Sequence, residues 1–411
     1  MEKADVAVET PFIAIITSTF PFGSAETFLH DELEALTALG CKPVVFPISP
    51  RSRHNPYADL DIESVRFEPL NPRTLYCAWQ GLHLNTQSAL RALATIVMSK
   101  SKLSTKLKNL VLFPTGLAVA YTIRTRRVKH IHAYWLSGPS TVAMIASAVT
   151  GIRWSYSAHS WDIFMEDNLI DEKTKAVSFA RTISELGKQG ILRRLKDAAG
   201  IRLQVVHLGV KVVATPNGAN TSASSVLRLL CPASWIPVKG HRYLLQALRN
   251  AIDVGVDCHC VFAGHGRLRR ELTKRIHDLR LGGAVFLAGF IPHETMMHQL
   301  HSGFYDAVIL PSVELGNEFE GIPVSLMEAM AAGIPCIATR TGAVEELIDD
   351  SCGVLVNQRD PNALSEAIVA LALSPARRRE LGERGRQRVN AQFNAATSGR
   401  ALLALMNDAR Q

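Results

Sequence analysis

Apolar runs of strand length alternate with stretches of helical spacing along nearly the whole chain, and the series occurs twice. Strands that recur with a helix between them lie parallel, because a parallel partner is reached only by a long crossover. Such sheets are covered on both faces, so their strands read as unbroken apolar runs. The first series has runs at 12–18, 44–48, 131–135, 154–158, 177–183 and 204–208; the second has them at 227–232, 259–263, 285–288, 307–310 and 336–339. Residues 24–39 have helical spacing and stop at Gly40, a common residue just past a helix end. Residues 212–225 are polar and rich in turn formers, which marks a linker. At 411 residues the chain also exceeds one ordinary core. The expectation is an α/β protein with two Rossmann-like domains, 1–212 and 226–394, and a last helical stretch from 395 to 411.

Bulk properties narrow the class. An apolar share of 47% with 20% charged residues describes a globular chain. The seven cysteines are odd in number and mostly embedded in apolar runs, which predicts reduced thiols and a cytoplasmic location. Cys258-His259-Cys260 has no second pair at zinc spacing, and strand alternation accounts for it. The first ten residues are acidic and polar, unlike a secretory signal. The apolar runs 111–123 and 142–152 are too short to span a bilayer and are broken at Pro114 and Gly151.

Charge is unevenly spread. From Pro69 to Trp161 there is no Asp or Glu, while eleven lysines and arginines fall in the same stretch. A segment of one sign produces a positive surface field. Around Lys100, Lys102, Lys106 and Lys108 the lysines interleave with leucines, the pattern of a basic amphipathic element on an anionic membrane. A solvated surface and a nucleic-acid face are the other readings, the last without stacking aromatics or a recognised motif to accompany it.

The chemistry concentrates between Glu320 and Glu328, which read EGIPVSLME. Gly321 lets backbone approach a ligand closely, and Pro323 suits a first helical turn. A loop carrying Glu320, followed by a helix whose free N–H groups face outward, makes an anion site. Glu328 falls about two turns further on. One acid beside an anion site and one along the helix suit a phosphorylated sugar.

Four further loops occupy the carboxyl ends of predicted strands, where open α/β sheets bind ligands. The loop from Phe20 to Phe28 sets Gly23 and Ser24 before a helix, with Glu26 as a first-turn acid. His159 follows a strand, three residues before Asp162, and can hydrogen-bond a sugar hydroxyl near neutral pH. The third loop runs from Ala233 to His241 and contains Ser234, Lys239 and Gly240. The fourth holds Gly264, Gly266 and Arg267; Gly-x-Gly is also a common tight turn. Asp59-Leu-Asp61 mimics a metal-binding triplet but lies in a polar segment without strands around it.

These strings resemble glycosyltransferase family 4, and the style is closest to members that build polysaccharides and exopolysaccharides. The resemblance is densest from Val285 to Val356. It implies a GT-B fold, in which two Rossmann-like domains face a central cleft and the last helix crosses back to the first domain. It also implies a retaining transfer of sugar from a nucleotide-diphosphate donor to a saccharide or lipid-linked acceptor, with no cofactor and no metal. Carried over by position, Glu320 meets the sugar hydroxyls, Glu328 the ribose, His159 the donor sugar and Lys239 the diphosphate, with Glu320, His159 and Lys239 as the catalytic set. Gly321, Ile322, Pro323, Ser234, Gly264, Gly266, Arg267 and Gly23 complete the donor site. The family usually places an arginine where Ser234 stands, so Arg267 is the candidate replacement cation. An inactive binding protein on the same scaffold, or a nucleic-acid-associated basic protein, are the other functional classes.

Overall fold

The computed structural model describes residues 12–23, 26–67, 71–165, 168–212 and 226–409, so nearly all of the predicted linker, the acidic first residues and Ser24 lie outside the described residues. Two units result, Met1–Leu208 with Ala396–Gln411, and Gly209–Ala395. The first contains strands β1 (Phe12–Thr17), β2 (Lys42–Pro47), β3 (Glu63–Ser64), β4 (His130–Tyr134), β5 (Trp154–Ala158), β6 (Phe179–Thr182) and β7 (Leu203–Val205). They form one parallel sheet in the order β3-β2-β1-β4-β5-β6-β7. The second unit contains β8 (Leu227–Pro232), β9 (Cys258–Ala263), β10 (Val285–Gly289), β11 (Ala307–Leu310), β12 (Cys336–Thr339) and β13 (Val354–Val356), again all parallel, in the order β10-β9-β8-β11-β12-β13. Both orders run 3-2-1-4-5-6 from the third strand of the unit, the doubly wound arrangement whose direction reverses beside the first strand.

Burial explains the element types. Strands β1 and β4 are almost wholly buried, and the helix Gly138–Thr150 is apolar nearly all round because sheet and neighbouring helices enclose it. The last helix, Ala395–Asp408, belongs to the first unit: Leu402 and Met406 are fully buried with Ile13, Leu33 and Leu36. Cys258 and Cys260 are buried on either side of exposed His259, the alternation expected of a strand, and all seven cysteines are free.

Several boundaries differ from expectation. The first helix spans Leu29–Ala38 instead of beginning at residue 24, since Glu26 is drawn into the preceding loop. Strand β4 begins at His130, because His130 and His132 are buried by hydrogen bonds to Ser155 and Ser157. The runs 177–183 and 204–208 shrink to Phe179–Thr182 and Leu203–Val205. Strands β3 and β13 were not expected: β3 is two polar residues, and β13 is an apolar run of only three residues, half-buried.

An ion pair lies deep in the first unit. Arg181 and Glu32 are fully buried and paired at 2.6 and 2.8 Å. Arg181 also donates to the carbonyls of Val206 and His207, and Tyr134 donates its hydroxyl to Glu32. The pair therefore ties the helix Leu29–Ala38 to the far side of the sheet.

Candidate functional site

In the second unit the switch point lies at the carboxyl ends of β8 and β11. After β8 the chain makes a short 3-10 turn, Pro237–Lys239, and then Gly240. Gly240 has φ +65°, and a Cβ there would sit 1.9 Å from the Pro311 carbonyl, so only glycine lets the two loops meet. That contact brings Lys239 Nζ to 2.5 Å from Glu320 Oε1. Ser312 Oγ donates to the same oxygen at 2.5 Å. Glu320 is only 7% exposed, so its charge needs these partners.

The helix after Glu320 runs Val324–Ala331, with Pro323 at the flanking N-cap position and no side-chain cap. The proline thus precedes the first turn, one place earlier than its helix preference suggests. Gly321 is half-buried and Ile322 buried where the chain enters this helix. Glu328, 8% exposed, is bonded to His293 Nε2 at 2.7 Å.

Ser234 and the Gly-x-Gly loop are packed together. A Cβ on Gly264, at φ +155°, would lie 2.2 Å from the Ala233 carbonyl, and Gly266 backs onto Trp235. The Trp235 amide donates to the His265 carbonyl at 2.9 Å. Arg267 is exposed beside them and pairs with none of the described carboxylates. Arg269 instead lies over the Trp235 ring, 5.7 Å from its centre. His241, next to Lys239, is 1% exposed and held neutral: burial and then Lys239 push it down to about 4.

The first unit has its own cluster at the ends of β1, β4 and β5. Glu26 accepts from the amides of Ser18, Thr19 and Phe20 and from the Thr19 hydroxyl. Gly23 packs against that same Thr19. His159, 6% exposed, faces the rings of Trp135 at 4.4 Å and Phe28 at 5.2 Å between centres. Burial, then Arg181, push its imidazole down to about 3. Asp162 caps the short helix after it, accepting from the His159 amide at 2.7 Å.

So the structure groups Lys239 with Glu320, and Ser234 with Gly264 and Gly266. Glu328 has its own partner, and His159 and Gly23 belong to the first unit. Ser312, His293 and Trp135 were missed. Ser312 stands just after an apolar strand, where a polar residue at a sheet's ligand-binding end is a usable signal. Nothing near His293 or Trp135 in sequence points to Glu328 or His159. Asp59 of the Asp-Leu-Asp triplet pairs with His30 Nε2 at 3.1 Å. Among the described residues His30, Asp31 and Glu34 offer ligand atoms within 4.8 Å of one another, although both His30 nitrogens are engaged by Asp31 and Asp59. A groove of about 560 Å³ in the first unit, lined by Arg91, Thr95, Met144, Trp154, Glu172 and Lys175 among others, holds none of the predicted residues.

Residues 220–388, which contain the Lys239–Glu320 cluster, match the family model described as glycosyl transferases group 1. WcaL of Escherichia coli, named for colanic acid biosynthesis, is 29% identical over 208 residues, 50% of this chain and 51% of that protein. The chain therefore spans about half the length of that relative. A GDP-mannose-dependent phosphatidylinositol monomannoside mannosyltransferase of Corynebacterium glutamicum is 27% identical over 71% of this chain and 80% of its own. Among solved structures, a Rickettsia africae glycosyltransferase has a TM-score of 0.71 at 17% identity, covering 98% of this chain and 99% of that one. Anabaena Alr3699/HepE in complex with UDP and glucose also scores 0.71, at 15% identity, over 97% and 100%. The fold is GT-B.

Proposed function

We propose that this protein is a retaining glycosyltransferase of polysaccharide or glycolipid assembly, moving a sugar from a nucleotide-diphosphate donor to an acceptor hydroxyl. The observation that carries this reading is the contact of Lys239 and Ser312 with Glu320 at the ends of β8 and β11, inside the region that matches the group 1 family. Lys239 and the amides at Gly321 and Ile322 stabilise the departing diphosphate, where negative charge grows as the anomeric bond breaks. Glu320 orients the sugar hydroxyls, Glu328 the ribose, and His159 a hydroxyl near the anomeric carbon. The acceptor oxygen attacks from the face the diphosphate leaves, and its proton passes to the departing phosphate oxygen. Binding energy spent on the sugar and ribose thereby serves the transition state. This chemistry needs no metal, since side chains and a helix N-terminus supply the positive charge.

The acceptor is a growing saccharide or a lipid-linked one, and the acid-free stretch 69–161 meets an anionic membrane surface. Exposed Leu103, Leu107 and Val111 on the helix Leu103–Val111 support that contact. No helix among the described residues is long and apolar enough to cross a membrane. Salt-sensitive binding to anionic vesicles, absent for neutral ones, is the expected result. The direct test of the activity is transfer of label from a panel of nucleotide sugars. Transfer abolished by Glu320→Ala supports the reading; absence of transfer and hydrolysis with every donor, despite nucleotide binding, overturns it.

That second outcome describes an alternative favoured by one observation, Ser234 at the place of the usual arginine: a binding protein on this scaffold. Arg267 is our candidate for the missing cation, and unchanged nucleotide affinity in Arg267→Ala would remove it from that role.

A further inference from the structure

Among the described residues, His159 and His241 are buried histidines with no ordinary hydrogen-bond partner at either ring nitrogen. The His159 side chain is more than nine-tenths buried, and beyond the capping-box approach of the Asp162 amide neither ring nitrogen has a hydrogen-bond partner. An unsatisfied buried group is costly, so such a site in a folded protein asks for an occupant. Its other contacts are aromatic, with Trp135 tilted 38° and Phe28 tilted 48° against the ring.

Trp135 is itself strained. Its φ is +97°, a region that residues with side chains rarely adopt, and strain of this kind persists only where the surroundings over-determine it. Five bonds do so here. The Trp135 amide donates to the Ser157 carbonyl at 2.9 Å, and the next amide, of Leu136, donates to the Asp162 carboxylate. Lys173 Nζ donates to the carbonyls of Leu136 and Ser137, each at 2.8 Å. The Trp135 indole N–H donates to Glu26 Oε1 at 2.5 Å. Glu26 in turn gathers the loop after β1, so this loop, the end of β4 and the start of the His159 turn are joined through one indole.

We propose that Trp135, pinned by Glu26, is a positioning residue that keeps His159 desolvated and open toward a sugar hydroxyl. This rests on the glycosyl-transfer reading for the identity of the ligand, but not for the state of the imidazole. A neutral imidazole both donates and accepts, which suits a hydroxyl; an imidazolium only donates. The aromatic faces alone would attract a cation. Burial opposes it, aided by Arg181; His132 and Asp162 are the next titratable groups, while Glu26 and Lys173 reach the ring's neighbours, through the Trp135 indole and the Leu136 carbonyl. Removing the indole opens the ring to water and lets it charge in the ordinary histidine range.

The test is NMR of the full chain with ¹³C-labelled histidine, the His159 resonance being assigned by its loss in His159→Gln. In the natural protein that resonance stays unshifted from about pH 8 to about pH 5, and in Trp135→Ala it titrates with a midpoint near 6.5, the ordinary histidine value. Trp135→Phe and Glu26→Gln keep the ring packing and carry the test if the alanine variant does not fold; each moves the midpoint upward. Transfer from labelled GDP-mannose or UDP-glucose follows: in the variants the rate gains an acid limb falling about tenfold per pH unit below the new midpoint. A His159 that titrates near 6.5 in the natural protein, or that stays silent in all three variants, overturns the proposal. If the resonances behave as expected but His159→Gln transfers normally, the sugar-contact reading of His159 fails while the positioning by Trp135 stands.

Discussion

Each unit holds one carboxylate–cation pair of note, and the two are built for different ends. Arg181 and Glu32 in the first unit are fully buried, and their remaining polar atoms are taken up by Tyr134 and by the carbonyls of Val206 and His207. Lys239 and Glu320 in the second unit have side chains 23% and 10% exposed, and they stand at strand carboxyl ends beside an uncapped helix N-terminus. The first pair has no capacity left for a ligand and can only hold secondary-structure elements together. The second, partly open to solvent, keeps the capacity to exchange partners that the proposed donor site requires. Burial and completeness of hydrogen bonding, not charge, separate a structural pair from a working one.

Substitution should separate them just as clearly. Arg181→Met leaves Glu32 buried with its main counter-charge gone, and we expect about 3–5 kcal/mol of lost stability in urea unfolding. A loss under about 1 kcal/mol would mean that water reaches the pair and that the contrast is overstated. Lys239→Met should reverse the profile: a fall of about 100-fold in sugar transfer, the size seen when one transition-state donor is removed. Its cost in stability is expected to be smaller than that of Arg181→Met, since Lys239 is partly open to solvent and Ser312 still donates to Glu320. Equal loss of stability in both variants would break the comparison.

The histidines of the first unit give a smaller, two-sided effect. Hydrogen bonds to Asp31, and then Asp59, raise His30 to about 9. Its contribution is complete below its unfolded value of about 6.5 and is lost as pH rises through about 9. Asp59 is two-thirds exposed, so we expect about 1 kcal/mol, removed by His30→Gln and weakened by salt. His159 has the opposite sign: lowered to about 3, it takes up a proton on unfolding between that value and about 6.5, so stability falls as pH drops through this range. Thermal melts of the natural protein and His30→Gln across pH check both limbs, and an unchanged alkaline limb in the variant would contradict the assignment.

The two regions also differed in how legible they were. In the second unit β8, β11 and β12 match their apolar runs, because parallel strands buried on both faces have an unbroken signature. Glu320 and Glu328 stand in a local string whose spacing points to a helix N-terminus and a phosphate, whereas Lys239 was legible only through the family resemblance. What could not be read was the pairing across loops: Ser312 with Glu320, His293 with Glu328. In the first unit the cluster around His159 draws on Glu26, Phe28 and Trp135 from three separate segments, and the strain at Trp135 has no trace in its neighbours. Edge strands such as Glu63–Ser64 escaped because a partly exposed strand needs no apolar run.

In the proposed function, the second unit holds a nucleotide-diphosphate sugar between Lys239, Glu320 and Glu328. Titration calorimetry of the full chain with UDP and GDP tests this without knowledge of the acceptor. We expect one of them to bind, and Glu328→Gln to weaken it by about tenfold or more, about 1.4 kcal/mol for the ribose contact. Binding of neither nucleotide, or equal affinity in the natural protein and the variant, would contradict the account.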